Sequence, residues 1–370
     1  MKPYGLIDLH CDTLADWKYA NTGNPNTLDD PERVLSLRTI PGDVNWAQFY
    51  AVFIPDEEQG QAAVDYFEKN RLNFERQMEL YADRVAPCRS AADMETAWAA
   101  GKTAAFLTIE NGTPINGDLS RIKVLADQGV RCLTLVWNGD YEIGSGHTTD
   151  KGLTDFGKAV IPELEKQGIL VDVSHLNDRG FADLLSLAKK PFVATHSNAR
   201  SVCGHKRNLT DDMIREMVRR DCLIGLNYFV KFLEDDGVVE SLDSLYRHIE
   251  HFFALGAQKN LALGSDYDGA VLPDCLNTPA KAAGIYGYRC PGACPRSWPR
   301  ASCTKTRWSS SARTLPELSN NKMPVLSVGK YRHFHFCVTQ LYSRNSVSPR
   351  GCPASFLSPS PTSAKRPWFP

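Results

Sequence analysis

The sequence predicts an α/β protein folded as a (β/α)8 TIM barrel. Three observations carry that expectation: short, near-continuous apolar runs, helical apolar stripes between them, and ionisable residues gathered at the C-terminal ends of the runs. The runs are residues 6–9, 49–54, 104–109, 132–137, 169–173, 192–195, 222–226 and 261–264. Strands that read as unbroken apolar stretches are covered on both faces, as in a parallel sheet. Eight of them suggest a closed barrel, with an open doubly wound sheet as the competitor. Between the runs, residues 153–167 place Leu153, Phe156, Val160, Ile161 and Leu164 on one helical face, and Gly168 follows as a C-cap. Residues 118–128, 178–189, 210–220 and 241–255 read as helices in the same way.

The pattern stops near Ala283, and composition changes with it. The 370 residues carry 42 Lys+Arg against 43 Asp+Glu, a net charge of −1. Residues 1–284 hold 29 basic and 42 acidic groups, whereas the last 86 hold 13 basic and one acidic. Half of the 22 prolines and five of the 11 cysteines also lie in that tail. We expect a catalytic barrel over 1–284. Residues 285–370 read as a disordered Pro/Ser/Cys/Arg-rich tail from a non-native reading frame, with the barrel's last helix missing or disrupted. Tryptophan has the single codon TGG, so a frame starting one base earlier reads NTG there, which encodes Leu, Met or Val.

The whole-chain balance excludes a basic nucleic-acid-binding protein and an acidic disordered chain. Charges in the tail are scattered among Pro and Ser, so no nucleic-acid partner is expected. The start, MKPYGLIDLHCD, shows no signal-peptide apolar stretch, and no run nears the roughly 20 apolar residues of a membrane span. The expected location is cytoplasmic, without membrane association, and with free thiols.

The chemistry sits at the run ends. His10 and Asp12 close the first predicted strand as His-x-Asp, and residues i and i+2 of an extended segment point the same way. Glu110 closes the third. His175 closes the fifth as Val-Asp-Val-Ser-His, and His196 the sixth as Ala-Thr-His-Ser. Asp266 and Asp268 close the eighth as Gly-Ser-Asp-Tyr-Asp-Gly. Each alone is a weak signal, since a lone strand-end histidine is usually a hydrogen-bonded polar residue. Together, at one barrel mouth, imidazoles and carboxylates compose a site for zinc or another first-row divalent metal. His205, His248 and His251 carry no such signal. His333 and His335 are set aside because nothing in the tail would position them.

The segments IDLHCDT, FLTIENG, GLTDFGKAVIPELEKQGILVDVSH, THSNARSVCGHKRNLTDD and GSDYDG resemble the membrane dipeptidase (renal dipeptidase) family of zinc metallopeptidases, in its soluble bacterial type. The resemblance runs over residues 6–281. It implies a barrel of the metal-dependent amidohydrolase type with two zinc ions. It implies His10 and Asp12 on one zinc, His175 and His196 on the other, and Glu110 bridging both. Asp266 would exchange protons with the attacking water, and Arg207 would hold the substrate's terminal carboxylate. A metal-bridging hydroxide would then hydrolyse dipeptides. Mammalian-type members carry a substrate-orienting histidine after strand four. Here Trp137 stands there, with His147 nearby as a replacement. Homodimers are common in the family. The alternatives are a related amidohydrolase acting on another amide or a lactone, and a non-catalytic, unstable product of a disrupted reading frame.

Overall fold

The computed structural model describes residues 5–15 and 27–287. The expectations for the tail beyond Gly287, with His333 and His335, lie outside the described residues.

Eight parallel strands close into a barrel. In chain order these are β1 (Gly5–Cys11), β2 (Asn45–Phe53), β4 (Thr103–Glu110), β5 (Val130–Thr134), β6 (Leu170–Asp172), β7 (Val193–Ala194), β8 (Leu223–Leu226) and β9 (Leu261–Leu263). They run β2-β1-β9-β8-β7-β6-β5-β4 around the ring, and β2 pairs with β4 from Ala47↔Ala104 to Phe53↔Glu110 to complete it. The open-sheet alternative is thereby excluded. Barrel strands bury both faces, which is why they read as unbroken apolar runs.

Helices α3 (Ser120–Asp127), α4 (Asp155–Gln167), α5 (Asp178–Leu187), α6 (Asp211–Arg219) and α8 (Asp243–Ala254) fall where the stripes predict. α4 starts at the Thr154 side chain, which accepts from Gly157 N–H, and stops at Gly168, whose φ of 73° is left-handed. Asn177 and Thr210 cap α5 and α6 in the same way. Short helices α7 (Val230–Leu233) and α9 (Pro279–Ala283) follow β8 and β9. None of the described helices is long and apolar enough to cross a membrane. The six cysteines among the described residues are free thiols, as expected.

Three further elements carry no strong sequence signal. The twenty-residue helix α1 (Gln61–Leu80) buries Asn70 and Gln77 within its apolar stripe. The short β3 (Val85–Pro87) adds to the start of β4, and α2 (Ala91–Ala99) follows it. Ala91, Met94, Ala97 and Trp98 of α2 join one apolar cluster with the barrel-lining Ile7, Ala47, Phe49, Ala104 and Phe106. α2 therefore plugs the N-terminal end of the barrel. Trp98 donates its indole N–H to the Trp46 carbonyl at 2.9 Å, and its ring lies where a Cβ on Gly5 would be, 2.8 Å away.

Trp98→Ala removes this plug and leaves the Trp46 carbonyl without its partner. Urea unfolding should show a loss of about 3–5 kcal/mol. A loss below about 1 kcal/mol, the scale of a surface substitution, would show that the plug does not close the barrel.

Candidate metal centre

The proposed ligands meet because of irregularities at the strand ends. In β1 the register with β2 slips between Asp8 and Cys11: Asp8 faces Gln48, but Cys11 faces Tyr50. This bulge places Leu9 and His10 in succession on the barrel interior. Leu9 joins the lining cluster, and His10 reaches Glu110. The Asp8 carboxylate accepts from the His10 N–H at 3.3 Å and from the Ser265 N–H at 2.9 Å, which pins the bulge to the adjacent strand end. Cys11 then points outward and Asp12 inward. Beyond β6 and β9, His175 and Asp266 adopt left-handed backbone, with φ of 70° and 62°. Each such residue costs on the order of 1 kcal/mol or more, so the surrounding bonds must hold it.

Glu110, the last residue of β4, sits at the centre. Its Oε2 lies 3.5 Å from His10 Nε2, which is itself 3.6 Å from Asp12 Oδ2. Its Oε1 lies 2.8 Å from His175 Nε2 and 3.7 Å from His196 Nε2, and those two nitrogens are 2.9 Å apart. The protons can be placed. His175 Nδ1 faces the side-chain Oδ1 of Asn138 at 2.9 Å and so donates to it. His196 Nδ1 faces Thr195 Oγ1 at 2.8 Å, and that hydroxyl donates to Asp172 Oδ2 at 2.6 Å, so His196 Nδ1 is also the donor. Both Nε2 atoms therefore turn bare lone pairs towards a carboxylate oxygen. Two imidazole lone pairs converge on one carboxyl oxygen, an arrangement that a divalent cation resolves and that Glu110, with its raised pKa, otherwise resolves by taking up a proton. On the other side, buried His10 Nε2 and Asp12 Oδ1 have no hydrogen-bond partner. Ligand atoms of His10, Glu110 and His196 lie within 4.8 Å of one another, as do those of His10, Asp12 and Asp266. The donor set fits divalent metal.

Electrostatics agree. Burial, reinforced by Arg207 and other histidines, holds His175 and His196 well below the usual histidine range, and neutral imidazole is the ligand form. Burial opposes charge on His10, but the Glu110 and Asp12 carboxylates outweigh it and raise its pKa. Burial, with Asp12 and Asp266 adding, pushes Glu110 up to about 7.

A cavity of about 790 Å³ opens over these groups, and Trp137, His147, Arg207 and Asp266 all line it. Asp266 Oδ1 is 3.8 Å from His10 Nε2, and its Oδ2 accepts from Asn227 Nδ2–H at 3.2 Å. Burial raises its pKa. Arg207 is 4 % exposed, yet its Nε has no partner and only the His196 carbonyl, at 3.3 Å, receives its Nη2. Burial lowers it to about 10, still charged at neutral pH. His147 Nδ1 is unpartnered, and burial lowers the ring to about 4.

Asp268 does not turn to the centre. It accepts from Thr13 Oγ1 at 2.6 Å and from the Val34 N–H at 2.9 Å, tying the loop before β2 to the barrel. His205, without signal in the sequence, lines the cavity beside Phe232. His248 and His251 stay outside it. Buried His248 accepts from the Ala199 N–H at Nδ1 and donates from Nε2 to the Leu233 carbonyl, fixing the loop that carries Arg207. The backing residues Asp8, Asn138, Asp172 and Asn227 are not singled out by sequence reasoning. The signal for two of them is position: Asp172 precedes His175 by three, and Asn138 follows Trp137.

A sequence profile of the membrane dipeptidase family (peptidase family M19) matches residues 1–285. An uncharacterised protein from the pqqA 5′ region of Klebsiella pneumoniae is 34% identical over 206 residues, covering 53% of this chain and 76% of that protein. A metallopeptidase from Rhodobacter sphaeroides, solved with a phosphinate mimic of the dipeptide L-Ala-D-Ala, is 25% identical. Its TM-score is 0.72, over 77% of this chain and 92% of that one. The metallopeptidase dipeptidase AC is 26% identical at a TM-score of 0.71, over 77% and 90%.

Two predictions follow from the packing around the centre. A Cβ on Gly269 would lie 1.9 Å from Asp12 Oδ2 and 2.8 Å from Asp266 Oδ1. Gly269→Ala should therefore reduce the divalent metal retained per chain after dialysis, read by elemental analysis; full retention would show that Asp12 moves aside freely. His248 has its pKa lowered from 6.5 to about 4, chiefly by burial. Below 6.5 the unfolded chain takes up a proton that the folded chain refuses. This contribution to stability is present above pH 6.5 and is lost as pH falls towards 4. Urea unfolding should show about 2 kcal/mol lost to this group between pH 7.5 and 5, absent in His248→Gln; equal slopes in the two proteins would contradict it.

Proposed function

The chain belongs to the membrane dipeptidase family of metallopeptidases, and from that premise we propose that it hydrolyses dipeptides at a dinuclear zinc centre. In this reading His10 and Asp12 would hold one ion, His175 and His196 the other, and Glu110 both. The observation that carries it is the pair of unprotonated Nε2 atoms turned on Glu110 Oε1, with His10 Nε2 across from Oε2. When bound, the two ions supply Lewis acidity towards the peptide carbonyl and lower the pKa of the attacking water.

The chain's own groups do the rest. Asp266, with Oδ2 held by Asn227, takes the water's proton at Oδ1 and passes it to the leaving amine. Its burial-raised pKa suits a group that must both accept and release a proton. Arg207 is a buried cation with donors to spare, and it holds the terminal carboxylate of a substrate ending one residue past the scissile bond. Phe232 lies 5.2 Å below its guanidinium and limits the side from which that carboxylate arrives. His147 is neutral at physiological pH and offers an N–H hydrogen bond to developing negative charge on the carbonyl oxygen; Trp137 forms the adjacent wall. A phosphinate mimic of L-Ala-D-Ala occupies the Rhodobacter sphaeroides relative, which supports small dipeptides as the substrate class. The family match ends at residue 285, beside the break in composition, and supports our reading that the following residues come from another frame. DNA sequence across the codon for Gly287 tests that reading; an uninterrupted frame in near relatives encoding the same tail would reject it.

Arg207→Ala should raise KM for dipeptides by about 10- to 100-fold, the loss of a charge-assisted hydrogen-bond pair, with kcat changed less. Asp266→Asn should do the reverse, lowering kcat by roughly 10²–10⁴ with zinc content intact. Steady-state kinetics on an Ala-Ala panel separates the two patterns. An unchanged KM in Arg207→Ala would point to a different amide substrate.

A further inference from the structure

We propose that the mouth selects dipeptides whose N-terminal residue carries a cationic side chain, such as lysine, ornithine or arginine. This rests on the dipeptidase reading above. The observation is a separation of charge across the cavity. Asp56, Glu57 and Glu58, on the loop between β2 and α1, line it on one side. Arg207, on the loop after β7, is the only lysine or arginine among the described residues that line it. In the ring order β2 and β7 stand four places apart in either direction, so their loops face each other across the mouth with Glu110 between them.

The two walls are built differently. Arg207 is buried with Nε unpartnered, so it is aimed into the cavity without an internal acceptor to satisfy it. Asp56 accepts from the Tyr141 hydroxyl at 2.5 Å, which anchors the acidic loop to the loop after β5. No cation among the described residues forms an ion pair with Glu57 or Glu58, so these two carboxylates face the cavity without a protein counter-ion. Phe53 and Phe229 supply apolar lining.

A dipeptide anchored by its carboxylate at Arg207, with its peptide carbonyl at Glu110, must send its N-terminal residue towards the β2 side. The α-ammonium sits next to the scissile bond, within one residue length of roughly 3.5 Å. Asp56, Glu57 and Glu58 line the cavity on that side, on the loop that leaves β2. A lysine-like side chain runs its aliphatic stem over the apolar lining and brings its charged end to those carboxylates. A neutral side chain of equal length gains only the apolar contact.

The test compares Lys-Ala with norleucine-Ala, which has the same stem without the terminal ammonium, using the zinc-loaded full-length chain. The native enzyme should show kcat/KM about tenfold higher for Lys-Ala, the scale of one well-placed charge contact, and the ratio should shrink as salt rises. In the double variant Glu57→Gln/Glu58→Gln the ratio should approach one, and Glu58→Lys should favour Glu-Ala over Lys-Ala. Equal kcat/KM for the two dipeptides in the native chain would overturn the proposal while leaving the dipeptidase reading intact. So would an equal fall for both in the double variant, which would place the α-ammonium at the acidic wall. Hydrolysis of neither would overturn the dipeptidase reading and this proposal with it. The salt dependence is read on the native chain, so it stands even where a variant fails to fold.

Discussion

Two imidazole lone pairs turned on one carboxyl oxygen make an arrangement that needs a cation between them, a metal ion or the proton that Glu110's raised pKa lets it take up. His175 Nε2, His196 Nε2 and Glu110 Oε1 converge within 3.7 Å, and each imidazole has committed its proton elsewhere, to Asn138 and to Thr195. An unpaired buried acceptor costs on the order of 1–3 kcal/mol, and a buried carboxylate more. Much of the mouth reads as the means of imposing this cost, which a bound divalent metal offsets. The Thr134–Asp172–Thr195 hydrogen bonds matter for that reason: they dictate which nitrogen of His196 carries the proton, and hence that a lone pair faces Glu110.

The barrel supplies the positions and departures from the regular strand supply the directions. A regular β1 would turn His10 outward alongside Asp8. The bulge pinned by the Asp8 carboxylate turns it inward. The left-handed turns at His175 and Asp266 bring both side chains back over the mouth from strands that have already ended. Gly269 leaves room for Asp12 and Asp266 to stand close together. Such local irregularity requires a rigid frame. The frame is closed at the sides by the β2–β4 ladder and below by Trp98 of α2.

Much of this was legible in the sequence, and the reasons for the rest are physical. The strands were readable because burial on both faces removes polar residues from their middles and leaves His, Asp and Glu at their ends. That same contrast pointed to His10, Asp12, Glu110, His175, His196 and Asp266 together. The β1 bulge was not readable, because IDLHCD has the same letters in either register. Asp268 reads like Asp266 two residues earlier, yet the turn between them sends one carboxylate to the loop at Val34 and the other to the centre. α1 was obscured by Asn70 and Gln77, which are buried through hydrogen bonds rather than by apolar character. α2 is visible as a pattern only in hindsight: what makes it a plug is the open barrel end it meets, which no local window contains. His205 is a cavity residue through the fold of its loop and not through any spacing.

The central claim is that one carboxylate is shared by two ions. It is tested most directly by electron paramagnetic resonance on the chain loaded with Mn(II). Two ions bridged by Glu110 should give a spin-coupled spectrum at full loading, replaced in Glu110→Gln by the signal of an isolated ion or by loss of bound metal. A fully loaded native chain showing only isolated-ion signals would contradict it.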